Sequence, residues 1–218
     1  NVATPHKTIE GKATPIAWTN WDNMGAAGGI ISSVSDISKW MILQMNRGIN
    51  EGDTLFSPDT QVDMWTMHNS YRVSLASQKN IPSRHFSGYG LGWGMSDYQG
   101  RKMVNHGGGY DGMYSRVTMI PEENLGIVVL TNSMTGISTP VTMRAIDEFL
   151  GTGNRDWSAE ALPRAARSAE RYQQRITKRL EAREEGTEPT VPTTAFIGNY
   201  YDPMYGAVTI TEEKGKLI

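Results

Sequence analysis

The sequence contains no cysteine. This absence excludes disulfides, catalytic thiols and thiolate-bound metals for this chain. The four histidines are scattered, and no two of them have the His-x-x-x-His spacing of a helical zinc site. We therefore expect no structural metal.

Long apolar runs and a strong net charge are missing as well. No segment approaches the roughly 20 apolar residues that a membrane-spanning helix needs, and residues 1–12 lack the apolar core of a signal peptide. The net charge of -2 gives no reason to expect nucleic acid or an anionic membrane as a partner. With 218 residues, the chain has room for one good core or for one and a half domains.

Apolar residues at helical spacing and local start and stop signals predict four helices. Ser35 is the expected N-cap of the first helix, and Gly48 is its expected end. Proline directly after Ser57 marks the start of a short second helix, because proline fits the first helical position. The predicted helices cover residues 36–47, a segment from residue 58, residues 139–150 and residues 158–185.

Strands are predicted in the middle of the chain. Residues 89–95 alternate large apolar residues with glycine, as expected for a half-buried strand. Residues 102–106 form a short strand that runs into three glycines. Residues 115–120 and 125–131 flank the turn-forming tetrapeptide Pro-Glu-Glu-Asn, so we expect them to pair as an antiparallel hairpin.

The composition changes after Asp156. Residues 158–185 are rich in Ala, Arg, Glu and Gln, which is typical of a largely solvated linker helix. Pro189 and Pro192 indicate a linker behind it. Residues 196–218 have the pattern of the first strands of a β-rich unit.

Three glycines follow His106 at the predicted end of a strand. Such glycines permit positive φ angles and leave backbone N–H groups open to a ligand. A histidine beside these donors could hydrogen-bond a substrate or help to polarise an oxyanion. The alternative is a glycine turn with a surface histidine, and the spacing alone favours that alternative.

The segment His106-Gly107-Gly108, with the hairpin and helix that follow it, resembles the third motif and last strands of serine β-lactamases and penicillin-binding proteins. In that family the motif is Lys-Thr-Gly in many β-lactamases and often His-x-Gly in the esterase and peptidase branches. Residues 27–40 and 55–58 resemble segments beside the family's active site, in the same order. The resemblance implies an α+β fold in which an antiparallel sheet, represented here by its last three strands, is flanked by helices.

The resemblance also divides the chain. Residues 1–151 are expected to be the C-terminal part of a β-lactamase-like domain, and residues 152–193 a linker helix with a proline-containing linker. Residues 194–218 resemble the start of a small β-rich accessory domain, which follows the catalytic domain in one branch of the family.

The family's nucleophile motif is missing from this sequence. No Ser-x-x-Lys occurs anywhere, and neither does the second motif, Tyr-x-Asn or Ser-x-Asn. In the family both motifs lie upstream of the part that this chain resembles. We therefore expect the nucleophile and the N-terminal region of the domain to be absent, and this chain alone to be inactive.

The resemblance assigns roles to residues around the glycines. His106 takes the place of the third-motif lysine and faces the substrate, and the N–H of Gly109 is one of two oxyanion donors. The expected substrate-binding residues are Gly107, Gly108, Tyr110 and Asp111. For Asp111, stabilisation of a turn is an equally good alternative.

The expected function is that of a serine hydrolase acting through an acyl-serine intermediate on an ester, a D-amino-acid peptide or a β-lactam. Histidine in place of lysine argues mildly against a strong β-lactamase, because lysine pairs better with a carboxylate. No metal or organic cofactor is implied. The alternative is a non-catalytic binding or assembly module with the same fold.

The expected partners are a small-molecule or peptide substrate and the missing N-terminal region, with no nucleic acid. A homo-oligomer is left open. The expected location is periplasmic or extracellular, with the cytoplasm also left open.

The strand over residues 125–131 has a neighbour from the N-terminal region in the family sheet. Here its outer edge should be unpaired, and it is apolar, β-branched and uncharged, as in strands that recruit another strand. We expect a separate N-terminal chain, a second copy or residues 1–21 to cover it.

Overall fold

A six-stranded antiparallel sheet is the largest element of the structure. The structure is a computed structural model that describes residues 2–218. It comprises two units, which divide between Arg167 and Ser168. The strands are β1 His6–Ile9, β2 Lys12–Pro15, β3 Ile49–Asn50, β4 Asp53–Thr54, β5 Asn69–Ser70, β6 Ser87–Tyr89, β7 Gly94–Tyr98, β8 Arg101–Tyr110, β9 Met113–Ile120, β10 Leu125–Thr131, β11 Gly198–Asp202, β12 Gly206–Ile210, β13 Glu212–Glu213 and β14 Lys216–Leu217.

The main sheet has the strand order β10-β9-β8-β7-β6-β5. The helices are α1 Gly25–Gly28, α2 Val34–Met45, α3 Pro58–Met64, α4 Leu75–Asn80, α5 Ser138–Leu150 and α6 Trp157–Glu181. Helices and an antiparallel sheet therefore pack in one unit, and the predicted α+β class is confirmed. No helix within residues 2–218 is both long and apolar enough to cross a bilayer.

The N-cap residues show which of the predicted helix starts are correct. Helix α3 begins as predicted, because the Ser57 hydroxyl accepts the N–H of Thr60 at 3.1 Å. The predicted cap of α2 at Ser35 is wrong, since the helix already includes that residue. The cap is Ser33, whose extended backbone lets its hydroxyl accept the N–H of Asp36 at 3.2 Å.

The hairpin of β9 and β10 is confirmed, with Val117 paired to Val128. The chain reverses through a short 3-10 helix, Pro121–Glu123, and then Asn124 in the left-handed conformation, with φ of 48°. The helix predicted behind it is α5, which ends at Gly151 with φ of 68°.

The prediction of one continuous strand over residues 89–95 is wrong, because the chain turns back in the middle of this segment. β6 ends at Tyr89 and β7 begins at its partner Gly94. The turn between them is closed by the N–H of Gly90, which donates to the carbonyl of Trp93 at 2.8 Å, and Gly92 has φ of 80°. Together with β5, this hairpin gives the sheet six strands where three were expected.

Two apolar clusters lie on opposite faces of the main sheet. The alternation is visible in β8, where Met103 belongs to one cluster and the next residue, Val104, to the other. We call the two sides the α2 face and the α5 face after the helices that cover them. The buried α2-face residues are Met41, Trp65, Trp93, Met95, Val104 and Met119. The buried α5-face residues are Tyr98, Met103, Ile120, Met143, Ile146 and Trp157.

Strand β10 lies at one edge of the main sheet and pairs with β9 alone among residues 2–218. Near β10, the N-terminal segment bonds to residues just behind the strand, where His6 forms a parallel bridge with Ser133. The amide of Asn132 donates to the carbonyl of Thr4 at 3.0 Å in the same place. That another segment or chain covers this edge stays a prediction.

Hydrogen exchange measures whether the edge is covered. A lone edge strand leaves alternate amides of β10 exposed to water, so these should exchange rapidly in a monomer of this chain. In the whole protein, or in an oligomer, we expect the same amides to be protected at least tenfold. Equal, rapid exchange in both samples would contradict the expected cover.

The second unit, Ser168–Ile218, contains most of α6, a short 3-10 helix and two β-hairpins. β11 pairs with β12 through the register of Tyr200 with Val208, and β13 pairs with β14. The domain boundaries proposed at residues 151 and 193 stay a prediction.

Candidate active site

Strand β8 has a free edge where the glycines lie. β7 pairs with β8 only up to Asn105, whose partner is Gly94. Within residues 2–218, no strand pairs with β8 on that side beyond Asn105, while β9 pairs on the other side up to Tyr110. The segment from His106 to Tyr110 is therefore bonded to a neighbour along one edge only.

A hydrogen bond of Lys102 shows which edge of β8 each backbone N–H and C=O group faces. Its N–H donates at 3.1 Å to the Glu122 carboxylate, which lies just beyond β9. Amide groups of successive residues in a strand point to opposite edges. The N–H and C=O groups of Gly107 and Gly109 therefore face the free edge, where an extended ligand could pair with them.

His106 is exposed and lies on the α2 face, two residues after the fully buried Val104. The nearest aromatic ring is that of Tyr89, whose centroid is 6.4 Å from the imidazole centroid. His106 is thus accessible on the α2 face, and the N–H of Gly109 is accessible at the free edge of the same strand. Their catalytic roles stay a prediction.

The three glycines lie in extended backbone, where positive φ is not required. The predicted turn is wrong, because Gly107, Gly108 and Gly109 all lie inside β8, and none has a φ in the left-handed region. A Cβ on Gly107 would lie 2.9 Å from the Tyr114 hydroxyl, and one on Gly109 would lie 3.1 Å from the Met134 methyl. Side chains from β9 and from the loop after β10 therefore lie where larger residues would need space.

Tyr110 and Asp111 hold the N-terminal segment. The Tyr110 hydroxyl donates to the carbonyl of Thr19, and its ring packs against Trp21 with centroids 4.5 Å apart. The Asp111 carboxylate forms an ion pair with Lys7 at 3.1 Å and accepts the Thr19 hydroxyl at 3.1 Å. These bonds, that of Lys7 first, lower the pKa of Asp111. Substrate binding by these two residues stays a prediction, and the contacts shown anchor the segment.

Sequence reasoning missed the residues of β9 that face the glycines. Arg116 is the partner of Gly107, and Tyr114 is the partner of Gly109. The signal that could have placed them is the dipeptide Asp111-Gly112, because Asp-Gly between strands marks a two-residue hairpin. That turn sets the register of the whole pair.

No group of three His, Asp or Glu side chains in the described part of the chain lies close enough to hold a metal ion.

Comparison with known proteins identifies the family. The family model for Beta-lactamase matches residues 2–150. The chain belongs to the beta-lactamase family. Its free β8 edge and His106 lie inside the matched part, as the resemblance of the glycine motif implied.

Two curated relatives of this beta-lactamase family chain are named as hydrolases. The chain is 28% identical over 206 residues to Unguisins hydrolase ungD' of Aspergillus campestris, and the match covers 90% of this chain and 36% of the relative. It is 26% identical over 212 residues to Unguisins hydrolase ungD of Aspergillus violaceofuscus, with 89% of this chain and 36% of the relative covered. The chain thus spans about a third of the length of these relatives.

A solved structure has the same fold. The octameric penicillin-binding protein homologue from Pyrococcus abyssi matches 69% of this chain and 31% of its own, with a TM-score of 0.55 and 24% identity. This likeness supports the fold of a penicillin-binding protein or β-lactamase.

Proposed function

We propose that this chain supplies the substrate-facing strand of a serine hydrolase that works through an acyl-serine intermediate. The observation that carries the proposal is the free edge of β8, where Gly107 and Gly109 present backbone groups beside the exposed His106. Membership of the beta-lactamase family and the hydrolase names of two relatives support it. The nucleophile comes from residues outside this chain, because no Ser-x-x-Lys occurs in it.

In the proposed reaction, the substrate binds along the free edge of β8. An extended substrate pairs with the backbone of Gly107 and Gly109, which places its carbonyl oxygen near the N–H of Gly109. The serine hydroxyl attacks the carbonyl carbon and loses its proton to a base outside this chain. The negative charge that forms on the oxygen accepts the Gly109 N–H, the leaving group departs, and water then hydrolyses the acyl-serine. His106 orients the substrate from the α2 face.

The proposed substrate is an ester, a D-amino-acid peptide or a β-lactam. The printed names of the two relatives make unguisins the first compounds to test with the whole protein. A lysine at the position of His106 would pair better with a substrate carboxylate than a histidine does. This difference favours esters and peptides over anionic β-lactams. Self-association of the whole protein and its export to the periplasm or the extracellular space are also proposals.

The chain alone should form no acyl-enzyme. Without a nucleophile, an oxyanion donor and a histidine leave most of the barrier in place. Incubation of the chain with a fluorophosphonate, followed by intact mass measurement, should show less than about 1% labelling. The whole protein, carried through the same protocol, should label stoichiometrically. Stoichiometric labelling of a serine in the chain itself would contradict the proposed division of the site.

The second candidate function is a non-catalytic binding or assembly module. Its support is the same absence of Ser-x-x-Lys from 218 residues. The whole protein discriminates between the two candidates. A module should bind ligands without labelling at any serine, and a hydrolase should label at one serine and lose that labelling when the serine is replaced by alanine.

A further inference from the structure

An apolar stripe runs along helix α6 and is largely exposed to solvent. Its residues recur every three or four positions, so they lie on one side of the helix. The large side chains Leu162, Tyr172 and Leu180 are 70%, 58% and 65% exposed. We call this set the α6 stripe, and its members are Leu162, Ala165, Ala169, Tyr172, Ile176 and Leu180.

Positive charge lies on the other side of α6. Successive residues of a helix are about 100° apart, which places four exposed basic residues away from the stripe. Arg164, one of the four, donates to the Asn80 side-chain oxygen at 3.0 Å and lies 3.6 Å from the Glu160 carboxylate. These contacts use the basic side of the helix and not the stripe. The four residues are Arg164, Arg167, Arg171 and Lys178.

The spacing of the α6 stripe is that of two helices packed side by side. From Leu162 to Ile176 the steps are three, four, three and four residues, as at the a and d positions of a coiled coil. The residues that border this part of the stripe include Ala166, Ser168 and Gln173, which carry no charge. A second helix of the same sequence could therefore approach the stripe without strong repulsion between like charges.

The sizes of the side chains favour an antiparallel pair. The small residues Ala165 and Ala169 come first along the stripe, and the large residues Tyr172 and Ile176 follow. An antiparallel pair places each alanine opposite a large residue of the second copy, Ala165 opposite Ile176 and Ala169 opposite Tyr172. A parallel pair would place alanine against alanine and tyrosine against tyrosine, which leaves gaps and crowding in turn.

The same arrangement suits the ends and the border of the stripe. Leu162 then lies beside Leu180 of the second copy. Arg175, the charged residue at the border, lies next to Ser168 of the second copy and not next to another arginine. Tyr172 is already in contact with the Arg175 guanidinium, which lies 5.3 Å from its ring centroid.

We propose that the α6 stripe packs antiparallel against the α6 stripe of a second copy of this chain. This contact does not depend on the proposed hydrolase function. A membrane surface fits the stripe less well, because two of its six residues are alanines and none is Trp or Phe, so little apolar area would enter the lipid.

Sedimentation velocity measures the association. The chain should sediment as a mixture of monomer and dimer whose proportions change with concentration. Ala169→Glu should weaken dimerisation at least tenfold, because it places a carboxylate inside the apolar contact. Gln174→Glu adds the same charge on the other side of α6 and is the matched control, which should leave dimerisation unchanged. Both positions are exposed, so neither substitution disturbs a core.

Disulfide cross-linking tests the orientation, since the sequence has no cysteine of its own. Chains with Ala165→Cys and chains with Ile176→Cys, mixed and oxidised, should cross-link to one another. Neither variant should cross-link to itself. In an antiparallel pair the two copies of position 165 are about 16 Å apart along the helix axis, and a disulfide needs Cα atoms within about 7 Å.

Three results would overturn the proposal. The first is a chain that stays monomeric at every concentration, or that dimerises equally well with Ala169→Glu. The second is self-cross-linking of each single cysteine variant without cross-linking in the mixture, which indicates a parallel pair. The third is a monomeric chain that binds phosphatidylglycerol vesicles and loses this binding with Ala169→Glu, which would make the stripe a membrane contact.

Discussion

Replacing Gly109 by proline in the whole protein should lower kcat about 100- to 1000-fold, the usual effect of removing one oxyanion donor. Proline has no N–H, and the N–H of Gly109 faces the free edge of β8 and not β9. The substitution therefore removes a donor without breaking the sheet, since proline is tolerated where a strand's N–H faces outward. Steady-state kinetics with any substrate that the whole protein hydrolyses gives the measurement.

Gly109→Ala is the matched control for this prediction. Alanine keeps the N–H but adds a Cβ that would lie 3.1 Å from the flexible Met134 methyl. We expect a loss of less than about tenfold, because the Met134 side chain can shift. Similar losses in both variants would show that the site is sensitive to bulk at this position, and would contradict a donor role for the N–H.

The parts of the fold that sequence reasoning placed correctly have strong local signals. The hairpin of β9 and β10 was predicted because Pro121 to Asn124 form a turn between two β-branched runs, and α5 because its apolar residues repeat at helical spacing. The turn between β6 and β7 was missed because Gly90 and Gly92 occupy alternate positions. A glycine at every second residue is compatible with both a strand and a tight turn.

The site was only partly predictable, for a different reason. His106 and its glycines are visible as a motif, but the free edge beside them depends on where β7 stops pairing. Contacts of this kind are set by tertiary packing, which a single sequence does not encode locally.

A buried carboxylate joins the end of α5 to the start of α6. Asp147 is 1% exposed, and the Trp157 indole N–H donates to one of its oxygens at 2.6 Å. The other oxygen accepts the hydroxyl of Tyr98 on β7 and that of Thr152, the latter at 3.2 Å. Burial raises the pKa of Tyr98, and its bond to Asp147 raises it further, so this donor stays protonated. One side chain thus connects β7, α5 and α6 within the first unit.

Asp147→Ala should lower the free energy of unfolding of the chain by about 3–5 kcal/mol, the range expected when two or three buried donors lose their acceptor. The Tyr98 hydroxyl and the Trp157 indole N–H would remain buried without an acceptor, and each unsatisfied group costs about 1–3 kcal/mol. Urea denaturation followed by tryptophan fluorescence measures the change. Glu148→Ala is the matched control, because this neighbouring residue is exposed and forms only a surface ion pair with Arg144.

Glu148→Ala should lower the free energy of unfolding by less than about 1 kcal/mol, because exposed ion pairs usually contribute no more than that. Tyr98→Phe removes one donor and leaves the carboxylate bonded to Trp157 and Thr152, so its loss should fall between the two, at about 1.5–3 kcal/mol. The order of the three losses in unfolding free energy shows whether the hydrogen bonds to Asp147 stabilise the chain, or whether any substitution in this part of α5 has the same effect. If Asp147→Ala destabilised the chain no more than Glu148→Ala, the carboxylate would not hold α5 and α6 to the sheet, and their attachment would rest on the apolar contacts of Met143, Ile146 and Trp157 alone.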